Sequence, residues 1–221
     1  MTGQRGFAGL LAAFQVVIGY EWFISGINKL AAGDFPRGLA GDIVDNLKDV
    51  DAGWFATFLR QEVLPHSIAF GYLVEYAEVM VGLLLLTSAA VFAFTAAGCV
   101  RWPGLCAGVV AAGSGAAVGA VCMNACYYLF SGGGWPGVDP AMAYGEGMAL
   151  DLLLSLLSVI LALANALMVR VYLALAERVA TPPGLSMVEA PVSKIWSQQA
   201  SMSRLKSLLS HPASWLRTRR I

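Results

Sequence analysis

Four stretches of this chain are apolar for long enough to cross a hydrocarbon core, which takes about 20 helical residues. They run roughly over 7–31, 66–94, 105–130 and 148–175. The first two are separated by a polar, acidic connection. The second connection is a short turn around Arg101-Trp102-Pro103-Gly104, and the third carries the glycine-rich run Ser131-Gly-Gly-Gly-Trp-Pro-Gly. After Thr181-Pro182-Pro183-Gly184 the composition turns polar. The pattern predicts an all-α fold: an integral membrane four-helix bundle over 1–180, with an outer amphipathic helical loop and a cytoplasmic C-terminal tail over 181–221.

The polar residues inside the apolar stretches are the informative ones. Glu75 and Glu78 interrupt the second stretch three residues apart, which places them on one helix face. An ionisable group at mid-membrane costs roughly 2.5 to 3.5 kcal/mol on insertion scales, so its default reading is a partner, a proton or a ligand. The first stretch carries Glu21, Ser25 and Asn28 with Lys29 beside them, a polar stripe down one face. Such a stripe can also be a seam that glues helices together; Glu21 argues against that, because a carboxylate is costlier to bury than an amide. Asp151, Ser155 and Ser158 share a face of the fourth stretch.

Composition supports the membrane reading. Of 221 residues, 58% are hydrophobic and 13% charged, about half the charge of a soluble domain. Formal net charge is zero, so its distribution matters more than its sum. Arg101 lies in the second connection, basic residues from Arg170 to Arg220 lie at or beyond the end of the fourth stretch, and 131–147 has no Lys or Arg. The positive-inside rule then puts both termini in the cytoplasm and the first and third connections outside; the expected membrane is the cytoplasmic membrane of a bacterium or archaeon. The first stretch resembles a secretory signal only in Arg5 and its apolar run; no small-residue cleavage site follows, so it reads as a retained helix.

The cysteines Cys99, Cys106, Cys122 and Cys126 form no CxxC pair, and the two histidines, His66 and His211, are too few for a bis-histidine haem or a histidine-rich metal centre. No haem or metal is expected. The glycine-rich turn lacks the strand, lysine and helix of a phosphate-binding loop, and no nucleic-acid partner is expected.

In the first connection Ile43, Leu47, Val50, Trp54 and Phe58 recur at helical intervals, predicting amphipathic helices at the outer surface, as a lid, a docking face or an ordered interfacial loop. In the third stretch Gly115 and Gly119 have the spacing that lets another helix approach closely. In the tail, apolar and basic residues alternate from Lys194 to Leu209, as in a basic amphipathic helix on an anionic leaflet or a segment that orders on a partner.

At about 1.5 Å per residue, Glu21, Glu75, Glu78, Asn124, Tyr127, Tyr128, Asp151 and Ser155 all fall in the outer half of the bundle, with almost nothing polar expected in the other half. This predicts a polar pocket opening outward. Carboxylates gathered in low dielectric cannot all ionise, so at least one holds a proton while Lys29 neutralises another. A protonatable carboxyl with tyrosine hydroxyls beside an apolar wall suits a quinone, and equally a proton path.

The order Ser25-Gly-Ile-Asn-Lys-Leu30, Trp54-Phe-Ala-Thr-Phe-Leu59, Val63-Leu-Pro65 leading to Phe70-Gly71, and Glu78-x-x-x-Gly82-Leu-Leu-Leu-Leu86 resembles the DoxX/DoxD family over about residues 5–178. The resemblance implies a four-helix membrane protein which, in its DoxD branch, belongs to thiosulfate:quinone oxidoreductase, oxidising thiosulfate to tetrathionate and passing electrons to quinone with a second subunit. It carries Gly26, Lys29, Glu78 and Gly82 over as family positions. Glu21, Glu75 and the basic tail depart from the pattern. The catalytic candidates are therefore Glu78, Glu75, Glu21 and Lys29. Ser25, Asn28, Asn124, Tyr127, Tyr128 and Asp151 are the candidate substrate or quinone pocket, and Gly115 and Gly119 the candidate helix-packing residues. Expected partners are the lipid bilayer, other subunits of a membrane complex and an extracytoplasmic subunit. The alternative is a non-catalytic structural or assembly subunit of a larger respiratory or photosynthetic complex.

Overall fold

A computed structural model describes residues 2–133 and 150–180. The chain divides into two units. Met1–Ala176 contains the sites described below, and of Glu177–Ile221 only 177–180 are described, as helix. Most of the third connection, and the tail expected to form a basic amphipathic helix, lie outside the described residues.

Every described element is helical: α1 (Thr2–Ala32), α2 (Phe35–Asn46), α3 (Gly53–Phe58), α4 (Ser67–Ala96), α5 (Pro103–Phe130) and α6 (Leu150–Ala180). The runs Arg5–Ala32, Gly53–Ala96, Pro103–Phe130 and Leu150–Ala180 are long and apolar enough to cross a membrane. These are the residues of a multi-pass membrane protein. Large apolar side chains on all four helices, among them Val17, Leu73, Leu105 and Leu163, are exposed on the protein itself, where lipid rather than water would cover them.

The second span is longer than its apolar core predicts. A turn of π-helix (Leu59–Val63) and a turn of 3-10 helix (Leu64–His66) join α3 to α4, so the helical run begins at Gly53. Pro65 explains the change of winding, since it has no N–H to donate to the preceding turn. The surface helices of the first connection exist as α2 and α3, but their buried face differs from expectation. Ile43, Phe55, Leu59 and Val63 form the core there, while Trp54 is 69% exposed. The periodicity expected across 43–58 fails because the helix breaks between Asn46 and Gly53, and the phase restarts after the break.

Helices α1 and α4 approach most closely. A side chain at Gly82 would fall 2.5 Å from the Phe23 nitrogen, and one at Gly26 would fall 2.8 Å from the Val79 nitrogen. Only glycine admits this backbone contact. Gly71 likewise lies against Pro36, which holds α2 across the end of α4. We call this the cap end of the bundle. α5 is fastened there too, because Gly132, with φ at +77°, sits against the Asp49 carbonyl.

The interior is layered along the bundle. Below the cap core lies a charged layer around Glu78. It is followed by an apolar layer including Ile18, Leu85, Ala117, Ala120 and Leu161. Next comes a neutral polar layer in which Gln15 Nε2 donates to Asn165 Oδ1 at 2.5 Å, with Ser88 also buried. A second apolar layer of Leu11, Phe92, Val110 and Tyr172 closes the sequence. The expectation that polar groups sort into one half of the bundle is therefore corrected: Gln15, Ser88 and Asn165 are all fully buried in the middle. Neutral amides can cross-bond there without carrying charge into the interior.

Candidate functional site

Glu78 is the centre of the charged layer. It lies about 17 Å along α4 from Ser67 and is fully buried. Both of its oxygens lie 2.6 Å from Lys29 Nζ. Ser25 Oγ donates to Oε2 at 3.1 Å and Tyr127 donates its hydroxyl to Oε1. Lys29 Nζ also donates to Ser25 Oγ at 3.1 Å. Helices α1, α4 and α5 thus converge on one carboxylate.

Local helix geometry explains the convergence. Ser25 and Lys29 are four residues apart and so share a face of α1. Gly26 between them lets that face reach α4 without a side chain in the way. The Lys29 ammonium lies 5.3 Å from the centre of the Phe35 ring and 5.7 Å from that of Tyr127, close enough for cation–π attraction. Trp22 stacks on Tyr127 at 6.3 Å. Both oxygens of the buried Glu78 carboxylate are thus bonded, which offsets part of the cost of taking it out of water.

Two spaces flank this cluster. An open groove of about 640 Å³ is lined by Asn28, Lys29, Ala32, Asp34, Phe35, Arg37, Gly38 and Asp42. A smaller cavity of about 120 Å³ is lined by Glu21, Trp22, Ser25, Asn124, Tyr127 and Asp151. Lys29 forms part of the groove wall, while Ser25 and Tyr127 form part of the cavity wall. Glu78 bonds all three, so a hydrogen-bonded bridge links groove to cavity.

The other candidates fall into distinct places. Glu75 is buried, but its Oε1 has no hydrogen-bond partner, and no ion pair joins it to a described residue. Glu21 is exposed on α1 and reaches the cavity from its rim. Among the described residues no hydrogen bond links it to Glu78 or Glu75. Asn28 faces the groove. Asn124 is buried with Nδ2 unpartnered, and Ser155 Oγ is unpartnered as well. Tyr128 is half-buried, with its ring against Gly133.

Gly119 rests against Val81 at 3.6 Å, whereas a side chain at Gly115 would meet nothing within 4 Å. Within the chain, close helix approach depends on Gly26, Gly82 and Gly113 instead. Cys122 and Cys126 are exposed free thiols. Among the described residues no group of three His, Cys, Asp or Glu side chains is arranged to hold a metal ion.

Sequence reasoning missed Phe35, Arg37 and Trp22. Phe35 and Arg37 belong to the connection, and their signal was the sharp turn at Gly33-Asp34, which folds the start of α2 back over Lys29. Trp22 looked like one more apolar residue of a span. Compared with known protein families, with curated proteins and with solved structures, the chain matches none.

Proposed function

We propose that this chain is a DoxX/DoxD-like membrane subunit of a thiosulfate:quinone oxidoreductase-type complex, in which the Glu78 centre handles protons for a quinone at the groove. The observation that supports it best is a fully buried carboxylate bonded by Lys29, Ser25 and Tyr127. That arrangement lies directly behind a groove wide enough for an aromatic head group. Phe35 offers the ring an apolar face, and Asn28 and Arg37 offer donors to its carbonyl oxygens. A bound quinone would take up electrons and protons together. The chain's part is to hold the ring beside Lys29, and to pass a proton between Glu78 and Lys29 or Tyr127 along bonds already formed. Electrons would come from a partner subunit outside the membrane, with α2 and α3 as its docking face.

The test is thiosulfate-dependent quinone reduction in membranes carrying the wild-type protein or Glu78→Gln at matched, assembled levels. Loss of turnover with assembly intact supports the reading. Equal turnover in both refutes the role of Glu78.

The open face of α5 favours a second reading, a structural or assembly subunit. Side chains built at Gly104, Gly108 and Gly115 meet nothing within 4 Å, leaving room for another helix. Under this reading no turnover depends on Glu78, and Gly115→Leu or truncation after Pro183 breaks co-purification of the complex.

A further inference from the structure

The cavity between α1, α5 and α6 has a charge its own residues do not balance. Lys29 is committed to Glu78. Glu21 on α1 and Asp151 on α6 line the cavity, and among the described residues no ion pair neutralises either. Carboxylates in such surroundings either hold protons or gather a cation.

The rest of the wall suits a cation. Ser25 lines the wall too, but its hydroxyl is engaged with Glu78 and Lys29. Asn124 is 2% exposed and lines the cavity, and its amide nitrogen has no hydrogen-bond partner to hold the amide one way round, so exchanging its two ends presents the carbonyl oxygen to a cation. Trp22 and Tyr127 close one side with stacked rings, whose faces attract positive charge. The volume, about 120 Å³, takes a small ion with a few of its waters and is too small for a bulky organic cation with a hydration shell.

We propose that this cavity is a binding site for a small hard cation, held by the carboxylates of Glu21 and Asp151 with oxygen from Asn124 and water. Carboxylate, carbonyl, hydroxyl and water oxygens are the donors such ions select. The site ties α6 to α1 at the level of the Glu78 centre. It goes beyond the reading of the groove and requires no quinone.

The experiment is thermal unfolding of the full chain in detergent micelles, followed by helical circular dichroism, in sodium, calcium or choline chloride at equal ionic strength. Sodium or calcium should raise the melting temperature over choline by roughly 5 °C at a concentration about a hundred times its Kd. The ion that does so identifies the charge class. Glu21→Gln and Asp151→Asn should each abolish the shift, while Asp42→Asn, on the wall of the groove, should keep it. Should Asp151→Asn fail to fold, Glu21→Gln decides alone, because Glu21 is exposed and its substitution disturbs no packing. Equal melting temperatures in all three salts, or a shift that survives Glu21→Gln, would overturn the proposal and leave the carboxyls neutralised by protons.

Discussion

The bundle buries polar groups at two levels, and the two are built differently. Around Glu78 they carry charge, converge from α1, α4 and α5, and border a groove and a cavity. Around Gln15 and Asn165 they are neutral, and the helices close tightly: a side chain at Gly113 would fall 2.7 Å from Ser88 Cβ. Neutral amides suffice to fix which helix faces which, because mispairing leaves a donor unsatisfied in an apolar interior. Fixing partners does not require a carboxylate and an ammonium, whose desolvation costs several kcal/mol per ion. The charged layer is therefore the one that asks for a chemical role, and the neutral layer the one that asks only for a structural one.

The largest effect should come from removing one member of the ion pair. Lys29→Met leaves Glu78 buried without its counter-charge, a change that costs about 3 to 5 kcal/mol when a buried pair is broken from one side. Lys29→Met combined with Glu78→Gln should recover most of that loss. The check is the melting temperature of the two variants beside wild type. A single variant as stable as the double would mean that Glu78 does not depend on its counter-charge and that the layers differ less than their chemistry suggests.

The glycine contacts give the next contrast. Gly82→Ala brings a methyl group against the Phe23 backbone, so helices α1 and α4 must separate, at roughly 1 to 3 kcal/mol. At Gly113 the obstacle is instead the Ser88 side chain. Gly113→Ala should be rescued by Ser88→Gly, whereas no side-chain trimming at Phe23 should rescue Gly82→Ala. Melting curves of the single and paired variants test both statements.

In the neutral layer the changes should be smaller. Gln15→Leu or Asn165→Leu alone leaves the other amide unsatisfied and should cost about 1 kcal/mol. The double replacement should be close to neutral, since replacing both partners by apolar groups removes the penalty along with the bond. A double-mutant cycle measures the coupling. A loss of quinone reduction in the folded double variant would show that this layer is more than scaffolding.

How much of this was legible in the sequence depended on side-chain chemistry. The four spans and Glu78 stood out because charge in an apolar run is conspicuous, and Lys29 was the cation at matching depth. Helix rotation was not legible. Spacing placed Glu21 with Ser25 on one face, yet Glu21 projects to the exposed rim of the cavity while Ser25 turns toward Glu78, four positions being somewhat more than one helical turn. Gln15 went unnoticed because a single neutral amide barely alters an apolar window, and its partner Asn165 lies in another span. The phase of α3 was lost at the break before Gly53, since periodicity carries no information across a non-helical gap.

The smallest expected effect on the chain is at Gly115. Its open position means that Gly115→Leu should leave the stability of the isolated chain within about 0.5 kcal/mol of wild type, as for other exposed substitutions away from packed contacts. The same substitution separates the two readings of function, because α5 presents a face to which both layers turn their backs. If another subunit packs on that face, leucine fills the space its helix would occupy, and the complex should fall apart in a pull-down while the chain alone stays folded. If the charged layer is the working part and α5 faces lipid there, association and quinone reduction should both survive. Gly115→Leu and Glu78→Gln should therefore give opposite results in one pair of assays, assembly and turnover, and it is their opposition, not either variant alone, that assigns function to a layer or to a surface.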